Sequence, residues 1–290
     1  MSAIAPAPTV AAALDEAVRV LARAGVERSR VEAEWLLAGL LGVGRARLGL
    51  DAHRRLAAPQ TQRYEDAVRR RARREPLQRI LGWEQFRGLA VRLTPDVLVP
   101  RPETELLVDW ALELLPTPTP GGQLRAIDVG TGSGCIACAL ASERADVEVA
   151  AVEVSPAAAM VAKRNARALR LDVRVLVSDL LTATADTSMD LIVANLPYVP
   201  DALIDTLAPE VSEHEPRLAL SGGADGLAVI RRLPSDAYRV LRPRGALAVE
   251  TLGAAQAQDV ASLLGTIGFV DVAIRGDLAG VQRFVGGRRP

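Results

Sequence analysis

From Leu124 onward the chain repeats one pattern: an apolar run, an abrupt glycine or polar stop, and then a stretch with helical spacing. Leu124 to Val129 stops at Gly130, Val147 to Val152 at Glu153, Val173 to Val177 at Ser178 and Asp179, and Leu191 to Ala194 at Asn195. Strands that alternate with helices bury a mostly parallel sheet between helical layers, and in such sheets ligands sit beyond the carboxyl ends of the strands. The pattern therefore predicts an α/β domain in which the Gly130 loop, Glu153, Asp179 and Asn195 share one edge. Each alone is equally well a solvated loop residue; their recurrence at consecutive strand ends argues for a site. Gly245 to Thr251 reads as a fifth strand, and Phe269 to Ile274 with Val281 to Val285 as a closing hairpin around Asp277 to Gly280.

The first of these strand ends is Asp128-Val129-Gly130-Thr131-Gly132-Ser133-Gly134, followed by a helix from Cys135 to Ser142. A strand, a glycine turn and a helix N-terminus let backbone N–H groups come close to a ligand. The dinucleotide fingerprint would need glycine where this chain has Cys135, so G-x-G-x-G suits a nucleoside cofactor without a pyrophosphate better. Glu153, ending the second strand, offers a carboxylate to two ribose hydroxyls, and Asp179 with Leu180 stands where an adenine amine would be read.

The fourth strand runs into Asn195-Leu196-Pro197-Tyr198, with Pro200 beyond. Leu196 precedes a proline and is confined to extended backbone, which fixes the direction of its carbonyl. The Asn195 amide oxygen and the Leu196 carbonyl make two acceptors, and Tyr198 supplies a flat wall. Such a set suits a planar NH2 group: a glutamine or asparagine side chain, or the exocyclic amine of adenine or cytosine. In either case the nitrogen lone pair is delocalised, so the site must orient it and favour the charge that develops on attack. The bland alternative is a strand end with a turn-forming N-x-P.

Before the sheet lies a different kind of sequence. Val18, Leu21 and Ala22 give helical spacing before Gly25; Ser29 is placed to cap a helix with Val31, Trp35, Ala38 and Leu41 on one face, ended by Gly42; a third helix runs from Pro59 through Arg74. These predict a small helical bundle over residues 1–75, a connector with a hairpin and a helix over 76–122, and the main domain over 123–290. Residues 1–82 hold 15 Arg against 9 Asp and Glu, with Arg69, Arg70, Arg71, Arg73 and Arg74 bunched together. Such a run is most often a solvated face; its functional reading is a docking surface for an acidic protein or RNA. Net charge is zero over 290 residues, so nothing global points to nucleic acid, and no apolar stretch reaches the roughly 20 residues of a membrane span. With no secretory leader in view, the expected location is the cytoplasm.

Several segments together resemble the HemK/PrmC family, whose members methylate a glutamine side-chain nitrogen in peptide chain release factors. They are Pro76 to Gly82, Pro100-Arg101-Pro102-Glu103-Thr104-Glu105, Asp128 to Gly134, Asn195 to Tyr198, Glu215-Pro216, Gly222 to Gly226, and Asp277 to Gly280. The resemblance implies a class I methyltransferase fold, a Rossmann-like seven-stranded mixed sheet with its last strand antiparallel, and S-adenosyl-L-methionine as cofactor. It also implies roles for single residues. Gly130, Thr131, Gly132, Ser133 and Gly134 would hold the methionine end of the cofactor and Glu153 its ribose. Asp179 and Leu180 would border the adenine. Asn195, Leu196, Pro197 and Tyr198 would grip the substrate amide, with Glu103 and Thr104 near the methionyl and substrate end. Partners would be the release factors, with no membrane and no direct nucleic acid required, and the chain is expected to act as a monomer. The family usually has N-P-P-Y where this chain has Leu196, a backbone-carbonyl contact that leucine also supplies. N-L-P-Y is similar as well to ribosomal RNA adenine methyltransferases, which is the alternative reading, and a non-catalytic cofactor-binding regulator is a third.

Three other signals take bland readings. Cys135 and Cys138 form a C-x-x-C that is expected to pack against the sheet. His53 and His214 lack metal-ligand spacing. The segment Pro116 to Gly122 reads as a linker, and Gly121-Gly122-Gln123 within and beside it copies the family's target by chance.

Overall fold

The computed structural model describes residues 7–117 and 123–290. The chain divides into two compact units, one ending at Gly82 that also takes in Ala208–His214, the other comprising Trp83–Leu207 and Glu215–Pro290. Gly121 and Gly122, and most of the linker expected before the sheet, lie outside the described residues.

The first unit contains helices α1 (Val10–Arg23), α2 (Ser29–Leu41), α3 (Arg45–Leu50), α4 (Ala58–Ala72) and α5 (Leu77–Leu81). Three were expected; the short α3 and α5 add to them and carry the unit past residue 75. The Thr9 hydroxyl caps α1 by accepting from the Ala12 N–H at 3.2 Å, and Gly42 closes α2 in the left-handed conformation. Ser29 is the first helical residue of α2 and not its cap. The buried face of α2 also differs from expectation. Ala33, Leu36, Leu37 and Ala38 enter the core, while Val31 and Trp35 are exposed, with the Arg45 guanidinium 5.2 Å from the Trp35 ring centroid. Apolar residues occur all round this helix, so helical spacing fits more than one stripe, and packing against α1 and α4 decides between them. The Tyr64 hydroxyl donates to the buried Ala33 carbonyl at 3.0 Å and ties α4 to α2.

The arginine run on α4 is less solvated than its sequence suggests. Arg71 is buried, donating to Glu32 and, at 2.8 Å, to Glu210. Arg74 holds both oxygens of Glu210 at 2.7 and 2.8 Å, and Arg70 holds Glu75. Burial alone pushes the Glu210 carboxyl up, but the hydrogen bonds from Arg74 and Arg71 outweigh it and hold the group down at about 2.

The second unit opens with a hairpin of β1 (Trp83–Phe86) and β2 (Leu89–Arg92), whose turn residues Arg87 and Gly88 both have positive φ, matching the twist of the strands they join. Helix α6 (Thr104–Leu114) follows. Then come β3 (Leu124–Val129), α7 (Cys135–Glu143), β4 (Val147–Glu153), α8 (Pro156–Leu169), β5 (Val173–Val177), β6 (Met189–Ala194), α9 (Leu233–Val240), β7 (Leu241–Glu250), α10 (Ala254–Ile267), β8 (Val270–Gly276) and β9 (Gln282–Arg288). Strands β3 to β9 form one seven-stranded sheet in the order β5-β4-β3-β6-β7-β9-β8, with β9 antiparallel to both neighbours and the rest parallel. Central strands are buried on both faces, as alternate residues of β6 show. Leu191 and Val193 join the core under α6, α7 and α8, whereas Ile192 and Ala194 join the one under α9 and α10.

The segment from Pro209 to Ala224 contains helical turns at Pro209–Ser212 and Arg217–Leu220 and is shared between the units. Among the described residues no helix is long and apolar enough to cross a membrane.

Candidate active site

Strand order reverses between β3 and β6, which is where an open α/β sheet leaves a crevice. The parallel register pairs Val129 with Ala194 and with Val152, so Gly130, Asn195 and Glu153 leave the sheet side by side. They border a cavity of about 480 Å³, within the range of small-ligand sites.

On one side the main chain does most of the work. The Gly130 and Thr131 N–H groups donate to the Val152 carbonyl at 2.9 and 3.1 Å, holding the loop to β4. Gly132 (φ 53°) stands in the cavity wall with nothing within 4 Å of where a Cβ would be, so its backbone is open to a ligand. At Gly130 (φ 74°) a Cβ would lie 2.8 Å from Leu196 Cδ2, so glycine lets the leucine of the tetrapeptide close over the loop. Glu153 is anchored at both oxygens, from Gly132 N–H at 2.9 Å and Ser155 N–H at 3.0 Å. Asp128 lies fully buried beneath. Its Oδ2 accepts from the Thr131 hydroxyl at 2.6 Å and the Ala137 N–H at 3.1 Å, its Oδ1 has no partner among the described residues, and burial pushes its pKa up to about 7.

The other side is made by side chains. Asn195 Nδ2 donates to Thr104 Oγ1 at 3.1 Å, and Thr104 donates to Glu250 Oε2 at 2.9 Å. The Tyr198 hydroxyl donates to Glu250 Oε1 at 3.1 Å, and burial keeps this phenol far above its ordinary pKa. Gln256 fixes the backbone behind it by donating to the Tyr198 and Asp225 carbonyls at 2.9 and 3.1 Å.

Of the residues singled out from the sequence, Thr104, Gly130, Thr131, Gly132, Ser133, Glu153, Asp179, Leu180, Asn195, Leu196 and Pro197 all line this cavity. Three do not. Gly134 lies behind the wall, where a Cβ would be 3.1 Å from Ala162 of α8. Glu103 is exposed at the start of α6. Tyr198 packs on the second core with its hydroxyl turned to Glu250, so it buttresses the tetrapeptide and is not among the cavity-lining residues. The Asp179 carboxylate accepts from Arg232 at 2.6 Å, a partner with no sequence signal. Glu250 and Gln256 were equally silent. Asn165 was as well: its buried side chain donates to the Ser133 and Arg92 carbonyls and accepts from the Arg92 N–H, joining the loop to β2.

Cys135 and Cys138 are buried free thiols, pushed up to about 12 by burial. His214 approaches the Arg73 carbonyl at 3.2 Å within the first unit. Among the described residues no His, Cys, Asp and Glu group is arranged to hold a metal. Asp277, in the turn between β8 and β9, accepts from the Ala279 and Val281 N–H groups at 2.9 Å and serves the hairpin.

Comparison with known proteins agrees with this architecture. Residues 12–82 match the PrmC N-terminal domain and residues 105–212 the methyltransferase small domain. The chain is 42% identical over 280 residues to the release factor glutamine methyltransferase of Geobacter sulfurreducens, covering 97% of this chain and 96% of that one. It is 40% identical over 264 residues to the enzyme of the same name from Caulobacter vibrioides, covering 90% of each. The fold is also that of a methyltransferase from Pyrococcus furiosus, at a TM-score of 0.53 and 18% identity over 70% of this chain and 89% of that one. A helical first unit, a seven-stranded sheet with the glycine loop and Asn195 at its switch point, and this extent of identity make the chain a member of the release factor glutamine methyltransferase family.

Proposed function

We propose that this protein transfers a methyl group from S-adenosyl-L-methionine to the side-chain nitrogen of the glutamine in the Gly-Gly-Gln motif of peptide chain release factors. The observation that carries the reading is the juxtaposition of Asn195 with the glycine loop, its amide nitrogen engaged by Thr104 and the rest of the side chain on the cavity. When bound, the cofactor supplies a methyl carbon activated by a sulfonium. Gly130 to Ser133 would receive its methionine end, the open face at Gly132 giving the close approach that a side chain would block. The anchored Glu153 carboxylate keeps lone pairs for ribose hydroxyls, and Asp179 with Leu180, which line the cavity, would border the adenine.

The remaining task is to make a poor nucleophile react. Asn195 Oδ1 and the Leu196 carbonyl accept the two hydrogens of the glutamine amide, which orients the nitrogen and favours the positive charge that grows as the methyl arrives. Leu196 does this without the rigidity of a second proline, and its side chain against Gly130 restores a constraint. The named relatives do not favour the ribosomal RNA alternative. Release factors act in translation termination, which puts the reaction in the cytoplasm.

We also assign release-factor docking to the first unit. Most of its arginine run is paired internally, so the apolar pair Val31 and Trp35 on α2 is the better contact. Trp35→Ala is expected to lower kcat/KM for an intact release factor and spare a Gly-Gly-Gln peptide. The central test is transfer of labelled methyl by the intact chain to a release factor, to that peptide and to ribosomal RNA. Label on the glutamine supports the reading; label on RNA alone overturns it.

A further inference from the structure

Glu250, at the end of β7, is only 1% exposed, yet both its oxygens are used: Oε2 by the Thr104 hydroxyl and Oε1 by the Tyr198 hydroxyl. A hydroxyl has one proton to give, and an ionised carboxylate has none. Thr104 therefore spends its proton on Glu250 and meets Asn195 with a lone pair. Only the NH2 end of the Asn195 amide can satisfy that lone pair, which leaves the oxygen for the cavity. With the amide reversed, two acceptors would face each other at Thr104, and an NH2 would meet the NH2 of the substrate.

We infer that Glu250 is a positioning residue for methyl transfer: its charge sets the direction of the hydrogen bonds through Thr104 and so decides which end of the Asn195 amide meets the substrate. The inference rests on the proposed acceptor role of Asn195 and adds what holds that amide the right way round. Two features support a carboxylate whose only task is to accept. Both its partners are hydroxyls, and Tyr198, a phenol shielded from ionisation by burial, always keeps its proton for Glu250. Burial pushes the Glu250 carboxyl up; against it, the hydrogen bonds from Thr104 and Tyr198 favour the ionised form, as does the charge of Arg283 on β9, which bonds directly to Asp277 at 2.7 Å, while Glu103 at the start of α6 opposes it.

The test is steady-state kinetics on a Gly-Gly-Gln peptide together with calorimetric affinity for the cofactor. Glu250→Gln keeps the shape but brings an NH2 that can donate to Thr104, freeing the Asn195 amide to turn. It is expected to lower kcat by about 100-fold, the scale of a misplaced reacting group, with cofactor affinity unchanged. Thr104→Val, which cuts the relay at its middle, should match it. Thr104→Ser, which keeps the one proton, should recover most of the turnover that Thr104→Val loses. A wild-type kcat in Glu250→Gln, or a Thr104→Ser variant as impaired as Thr104→Val, overturns the relay. If Glu250→Gln does not fold, the two Thr104 variants decide. A wild-type chain that leaves the peptide unmethylated would refute the proposed function itself, a result separate from any of these.

Discussion

The two sides of the cavity each rest on a buried carboxylate, but they are assembled from different materials. On the glycine-loop side, Asp128 supports a turn whose exposed groups are main-chain N–H, and Glu153 is anchored from 21 residues away in sequence. On the Asn195 side, Glu250 supports Thr104 and Tyr198 directly and Asn195 through Thr104, with Thr104 and Glu250 separated by 146 positions. The difference teaches where specificity resides. A side built of backbone needs glycine where it bends and tolerates variety elsewhere; a side built of side-chain hydrogen bonds depends on the identity of every member and on the order in which they donate.

The strongest test of that division is Asn195→Ala, which should lower methyl transfer to a Gly-Gly-Gln peptide by about 100- to 1,000-fold, as loss of a single stabilising contact does elsewhere. Calorimetry should find cofactor affinity intact, and a parallel loss of both would erase the boundary. Next comes Glu153→Ala, expected to weaken cofactor affinity by about 10- to 100-fold, the equivalent of a charge-assisted hydrogen bond, while kcat at saturating cofactor holds.

The sides touch where Leu196 lies on Gly130. Gly130→Ala should cost about 1–3 kcal/mol in urea denaturation, through crowding at a left-handed position. Combining it with Leu196→Ala should recover about 0.5–1 kcal/mol, and strictly additive costs would show that the contact does not couple the two sides.

Least affected in rate is Asp128→Asn, whose signature is in stability. The folded-state pKa is raised from 3.8 to about 7, so between those values the native protein holds a proton that the unfolded chain has released. Stability from this group is present at low pH and is lost as pH rises through 7. Urea midpoints should therefore fall more steeply from pH 5 to pH 8 in the wild type than in the variant.

The same contrast explains what could be read in advance. The Gly130 loop, Glu153 and Asn195 were legible because each ends or directly follows its strand, and strand ends declare themselves by a change in local composition. Glu250 also ends a strand, yet nothing local distinguishes it from a solvated carboxylate; its meaning comes from Thr104 and Tyr198, which only the fold brings near. Tyr198 misled for the complementary reason. An aromatic in the tetrapeptide suggested a wall, but a phenol finds a partner when buried, and Glu250 turned it inward. In the first unit, helix α2 was visible but its inner face was not, since apolar residues offered more than one stripe, and the arginine run hid its pairing with Glu32 and Glu210.

That last pairing bears on how the protein can be dissected. The heptapeptide 208–214 belongs to the first unit although both of its flanks belong to the second, so the backbone passes from one to the other three times. A gene trimmed to start at Trp83 would strand Glu210 without Arg71 and Arg74, and the fragment would carry an acidic tether just ahead of the cavity-lining stretch that begins at Pro216. The helical unit is thus not a removable appendix, and a poorly behaved truncation would report a severed splice as well as any missing recognition surface.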